Sequence, residues 1–161
     1  LSIRGDKMTV VYKEFPVGWL KIVSDEGEIV GIDHVSEPGE SDDHTEVIDT
    51  CIEQLNEYFG GGRSDFTVPI NFRYSGTKFQ QKVWSELWKI PYGQTISYKE
   101  LAVRCGGANY SRAVANANGK NPVSIIVPCH RVISSDGTLG GYTGGLDKKS
   151  KLLTIEGLQL I

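Results

Sequence analysis

The stretch NPVSIIVPCHRV, Asn121 to Val132, holds a cysteine between a proline and a His-Arg pair at the end of an apolar run. A thiol acts as a nucleophile only with thiolate character, which a nearby base or positive charge supplies. His130 and Arg131 adjoin Cys129, but neighbours in sequence rarely point the same way. His130 therefore reaches the sulfur only through a turn or a bridging water. Such a base needs a partner that holds its tautomer and stabilises its charge. Glu156, at the end of a predicted helix, is one candidate. A negative charge there opposes the helix macrodipole at a cost of about 0.3–1 kcal/mol, so it either serves another group or is a tolerated surface residue.

The remaining residue types narrow the chemistry. Cys51, Cys105 and Cys129 form no CxxC pair, which argues against a disulfide framework and for a reducing compartment. No resolving cysteine lies near Cys129, so a redox thiol is disfavoured. His34, His44 and His130 share no zinc-ligand spacing with the cysteines, and no metal is expected. The segment DGTLGGYTGGLD (136–147) has five glycines in twelve residues. That suits a loop bringing backbone amides close to a ligand, but it has neither GxGxxG nor Walker spacing.

The elements that must position these residues read as α+β. TVVYKEF (9–15), GWLKIV (18–23) and EIVGIDHV (28–35) look like meandering antiparallel strands, followed by an acidic loop, SEPGESDD (36–43). Val47, Ile48, Cys51, Ile52, Leu55, Tyr58 and Phe59 recur at helical spacing, making Cys51 a core residue, and TVPINF (67–72) reads as a further strand weakened by Pro69. Beyond Gly76 the pattern turns helical. Thr77 with Gln80 and Ser97 with Glu100 fit capping boxes, and Phe79, Val83, Trp84, Leu87 and Trp88 predict one buried stripe. SYKELAVRC, a Gly-Gly turn and a helix over about 110–118 give the outline of a helix-turn-helix. That second helix carries small or polar side chains with Arg112 near its start, which suits either a groove wall or a neighbouring helix. Asn121-Pro122 predicts a short helix start, HRVIS an extended piece, and 148–156 a final helix.

Composition bounds the rest. Hydrophobic residues at 39% and charged residues at 23% are those of a globular chain, and no apolar run is long enough for a membrane span. Residues 1–7 precede the first strand and read as a short extension or tag. Residues 1–78 hold 7 Lys/Arg against 15 Asp/Glu, a net of −8, while 79–161 hold 10 against 5, a net of +5. The basic half is the one suited to meet an anion.

VPCHRV, preceded by Asn121-Pro122 and followed by GGYTGG and LLTIEG, together with ISYKELA and SRAVANANGKNP in the same order, resembles the O6-alkylguanine-DNA alkyltransferases (methylated-DNA–protein-cysteine methyltransferases). The resemblance covers about residues 77–157; the first half is similar only in outline. It implies a ribonuclease-H-like sheet-plus-helix domain over 1–76 and a mainly helical DNA-binding and alkyl-transfer domain over 77–161. It also implies irreversible, stoichiometric transfer of an alkyl group from flipped O6-alkylguanine to Cys129. His130 would deprotonate the thiol through water, Glu156 would orient the imidazole, and Asn121 would bond across the active-site turn. Tyr98 would contact the lesion base and help rotate its phosphate, and Arg112 would fill the vacated stack. Ser111, Ala113 and Asn116 would share its DNA-facing surface. Pro128, Val132, Tyr142 and Thr143 would wall the base pocket, although the family usually carries serine or another small residue at Thr143. The implied partner is duplex DNA carrying O6-alkylguanine, met by a monomer in the cytoplasm (the nucleus in a eukaryote), without metal or organic cofactor. Some relatives hold an N-terminal zinc, for which no cysteine lies in the first 50 residues. On the residues alone, a cysteine hydrolase using Cys129, His130 and Glu156 and a non-catalytic lesion binder stay open. The presence of Cys129 weighs against the second.

Overall fold

A computed structural model describes residues 8–72 and 75–158; the expected extension over 1–7 lies outside the described residues. The chain folds as two compact units, Leu1–Tyr74 and Ser75–Ile161. In the first, β1 (Thr9–Phe15), β2 (Gly18–Asp25) and β3 (Glu28–Val35) form an antiparallel meander. Glu26 and Gly27 take φ of 51° and 78°, the paired positive φ values of a tight primed turn between β2 and β3. Leu20, Ile22, Ile29 and Ile32 are fully buried, as are Ile48, Cys51, Leu55 and Tyr58 of α1 (Glu46–Phe59). Thr45 caps α1 by accepting from the Ile48 amide. The acidic loop covers the free edge of β1: Asp42 N donates to Val10 O at 2.8 Å, and the Asp42 carboxylate accepts from Val10 N at 2.8 Å.

The expected strand over 67–72 is reduced to a single parallel bridge, Ile29 to Ile70. Pro69 has no amide to continue a ladder. The segment is held instead by Gln54, a buried residue the apolar pattern of α1 passes over, whose Oε1 accepts from Thr67 N and Val68 N at 3.0 and 3.2 Å.

The second unit is mainly helical. α2 (Lys78–Trp88) opens with the complete Thr77–Gln80 capping box. A two-residue strand, β4 (Ile96–Ser97), leads into α3 (Tyr98–Cys105), whose N-cap Ser97 accepts from Glu100 N at 3.0 Å. Gly106 and Gly107, at φ 146° and 156°, end α3, and a 3-10 turn at Ala108–Tyr110 feeds α4 (Ser111–Gly119). β5 (Val132–Ile133) pairs parallel with β4, and α5 (Leu146–Ile155) closes the unit. Trp84 is buried and donates its indole N–H to Ala117 O at 2.8 Å, tying α2 to α4. The buried stripe of α2 is narrower than its sequence pattern. Val83, Trp84 and Leu87 are inside, but Trp88, the last helical residue, is 46% exposed, and Ile90 takes the core place beyond it.

The helix start expected at Asn121-Pro122 does not form. Asn121 Oδ1 accepts from Val123 N at 3.0 Å, an Asx turn that competes with a helical N-cap. Ile125 then takes φ 75°, left-handed space that a β-branched residue enters only at a cost, and Ser124 bridges Val127.

Candidate active site

That turn leads into Cys129. Asn121 Nδ2 donates to Val127 O at 2.7 Å, so one buried side chain joins both limbs of the loop entering Pro128. Cys129–Arg131 form a 3-10 turn in which all three residues are buried, and HRVIS is extended only over Val132 and Ile133. Asn118 on α4 donates to Cys129 O at 3.4 Å. Burial pushes the Cys129 thiol up, while Asn121 and the Lys149 charge pull the other way. A thiol shifted this way holds its proton more tightly than an exposed one.

His130 follows Cys129 in that turn. It is fully buried, and Nε2 lies 2.7 Å from Glu156 Oε2. Burial lowers its pKa, the Glu156 contact raises it, and Arg131 and Lys149 lower it further, leaving a neutral imidazole. A neutral ring that gives its Nε2 proton to a carboxylate keeps its lone pair on Nδ1. Nδ1 has no hydrogen-bond partner among the described residues. Glu156 caps the C-terminus of α5. Burial would raise its carboxyl, but hydrogen bonds and charges from His130 and Arg131 outweigh that and hold it well below the ordinary carboxylate range.

Two buried cations border the site: Arg131, noted from the sequence as a charge adjoining Cys129, and Lys149, which was not singled out. Arg131 grips Glu156 with Nε and Nη2 at 2.8 and 3.0 Å and gives Nη1 to Ile90 O at 2.6 Å. Lys149, fully buried, donates to the carbonyls of Val132, Leu139 and Gly141 at 2.7, 2.5 and 2.9 Å. Burial lowers its pKa to about 8, with Cys129 pulling it up. A signal for Lys149 was present: residues 149, 152, 153 and 156 repeat at helical spacing, which puts the lysine on the same inward face as Leu152, Leu153 and Glu156.

A cavity of about 470 Å³ is lined by Tyr98, Asn118, Ser134, Gly140, Tyr142 and Thr143 among others. Tyr98, Tyr142 and Thr143 thus meet at one opening. Pro128, Cys129 and Val132 are buried and do not line it. Tyr98 OH donates to Gly141 O at 3.4 Å, and Thr143 Oγ1 donates to Gly119 O at 2.6 Å, linking the glycine-rich loop to α3 and α4. Arg112, Ala113 and Asn116 are exposed on α4, while Val114, Ala117 and Asn118 face inward. Ser111 is half-buried, its hydroxyl bonded to Ala108 O at 2.8 Å. Among the described residues no group of three or more His, Cys, Asp or Glu is placed to hold a metal.

Fold and site together define an α+β protein in which a buried cysteine adjoins a buried imidazole bonded to a carboxylate. The chain belongs to the 6-O-methylguanine DNA methyltransferase family. The family's DNA binding domain matches residues 78–158 and its ribonuclease-like domain matches 8–72. The methylated-DNA--protein-cysteine methyltransferase of Mycobacterium tuberculosis is 51% identical over 106 residues, 66% of this chain and 63% of that protein, so under two thirds of that relative is spanned. That of Methanosarcina acetivorans is 40% identical over 150 residues, covering 89% of this chain and 95% of the other. The crystal structure of Mycobacterium tuberculosis O6-methylguanine methyltransferase is similar at a TM-score of 0.83 and 37% identity over 93% of each chain. The crystal structure of Mycobacterium tuberculosis OGT in complex with DNA is similar at 0.82 and 38%, over 92% of each.

Proposed function

We propose that this protein repairs O6-alkylguanine in duplex DNA by moving the alkyl group onto Cys129. The observation that carries the reading is the buried thiol beside His130, whose Nε2 is committed to Glu156 while Nδ1 is left to accept a proton. The thiol proton passes to Nδ1 through a bridging water, and the sulfur attacks the alkyl carbon. The carbon–O6 bond breaks with its electron pair on guanine, which takes up the proton. Guanine and a thioether remain. A thioether has no easy route back to thiol, so each molecule acts once.

A lesion atom in a duplex is out of reach of a buried sulfur, so the base must leave the stack, at a few kcal/mol of unstacking. α3 and α4 act as the helix-turn-helix, with the small side chains of α4 allowing close approach in the minor groove. Arg112, exposed on α4, fills the vacated stack, and Ser111, Ala113 and Asn116 flank it. Tyr98, Tyr142 and Thr143 receive the base in the cavity they line, while Pro128 and Val132 back the sulfur. Three free cysteines support a reducing compartment, the cytoplasm, where the protein works as a monomer.

The test is the mass of the intact protein after incubation with duplex DNA containing O6-methylguanine. One methyl group per molecule, mapped to the peptide bearing Cys129, is expected. No gain, a gain at Cys51 or Cys105, or repeated turnover of an ester substrate would overturn the reading, the last in favour of a cysteine hydrolase.

A further inference from the structure

Arg131 lies one residue beyond His130 and takes no part in the chemistry above, yet it is buried and gives Nε and Nη2 to Glu156. Both carboxylate oxygens are engaged. Oε1 accepts from Arg131 Nε at 2.8 Å and Gly93 N at 3.1 Å. Oε2 accepts from Arg131 Nη2 at 3.0 Å and lies 2.7 Å from His130 Nε2. Arg131 is itself fixed, by Ile90 O at 2.6 Å and by the Tyr92 ring, 5.8 Å from its guanidinium carbon. Tyr92 in turn donates to Ile155 O at 3.2 Å, next to Glu156 in the chain.

A planar fork that takes one lone pair of each oxygen leaves the carboxylate one orientation, with a single acceptor site facing the imidazole. We propose that Arg131 is a positioning residue of the transfer reaction: it locks Glu156 in the rotation that keeps the His130 proton on Nε2, and it offsets the carboxylate charge so that the resting imidazole stays neutral. This rests on the function proposed above. The charged groups facing His130 are Glu156 and Lys149 from α5 and Arg131 from its own turn, with Cys129 beside it. Removing the Arg131 charge leaves Glu156 less compensated, so the imidazole becomes more basic.

The experiment pairs the rate of alkyl transfer against pH with 15N NMR of the His130 ring, for the unsubstituted protein, R131Q and R131K. In R131Q the rising limb of the rate profile and the ring titration both move up, by about one pH unit. R131K keeps the charge but not the fork. Its limb stays in place while the plateau falls about tenfold, the scale of a lost alignment. Limbs and ring titrations unmoved in both variants, with rates falling only as the folded fraction does, would overturn the proposal, as would an unsubstituted ring with its proton on Nδ1. Should R131Q not fold, R131K and the unsubstituted ring decide the matter. The NMR readings need no DNA, so they test Arg131 even if the protein transfers no alkyl group.

Discussion

At the scale of single residues, Cys129 and His130 were legible as candidates because PCHRV puts a thiol and an imidazole in one apolar setting. The partners of the buried cations were not. The acceptors of Lys149 are main-chain carbonyls 8 to 17 residues away, and a carbonyl carries no sequence signature. Arg131 spends its fork on a carboxylate 25 positions on. What betrays both is their setting, since a charge at an apolar register must find partners. Lys149→Met removes the donor from three carbonyls and a cation from near the thiol. It should cost about 2–4 kcal/mol in denaturant unfolding. Iodoacetamide labelling of Cys129, followed by mass spectrometry, should need a higher pH, because a lost positive charge raises a thiol pKa. Labelling that begins at the same pH in both proteins would show that the Lys149 charge does not act on the sulfur.

At the scale of elements, α2 and α3 read correctly in place and in N-cap residue, while the buried stripe of α2 is narrower than its pattern. Errors fell where two local signals compete. Asn121-Pro122 can open a helix, but the Asn121 side chain bonds Val123 N and Val127 O instead, and the β-branched run that follows favours extended backbone. The glycine-rich loop read as a close backbone approach, and Gly140 shows where. At φ 73°, a Cβ there would stand 2.9 Å from a Tyr98 ring carbon and 3.1 Å from Ser134 Oγ. Gly140→Ala is therefore strained in its backbone and pushes on the cavity wall. It should slow reaction with free O6-benzylguanine more than with O6-methylguanine in DNA, because the larger group needs the space. Equal slowing of both substrates would place the effect on stability rather than on cavity shape.

At the scale of the molecule, the charge division is the property sequence reports best, because it needs no geometry. A net of +5 over 79–161 against −8 over 1–78 localises any polyanion-binding surface to the second half. If that surface neutralises about four phosphates, affinity for undamaged duplex DNA falls roughly 100-fold between 50 and 200 mM salt. Filter binding across that range checks it. Alkyl transfer from the free base should change less than twofold over the same range, since no phosphate is involved. A salt-insensitive DNA affinity would remove the electrostatic argument.

The smallest sheet in the protein has a mechanical consequence. Ile96 pairs with Val132 and Ser97 with Ile133, so the residue just before Tyr98 and the residues just after the nucleophile's turn are rungs of one ladder. The spacing between phenol and sulfur is thus gauged by main-chain bonds joining segments 36 residues apart, with α3 and α4 spanning the gap. Side chains around the two rungs can be exchanged with some loss of cohesion while the gauge itself keeps its length.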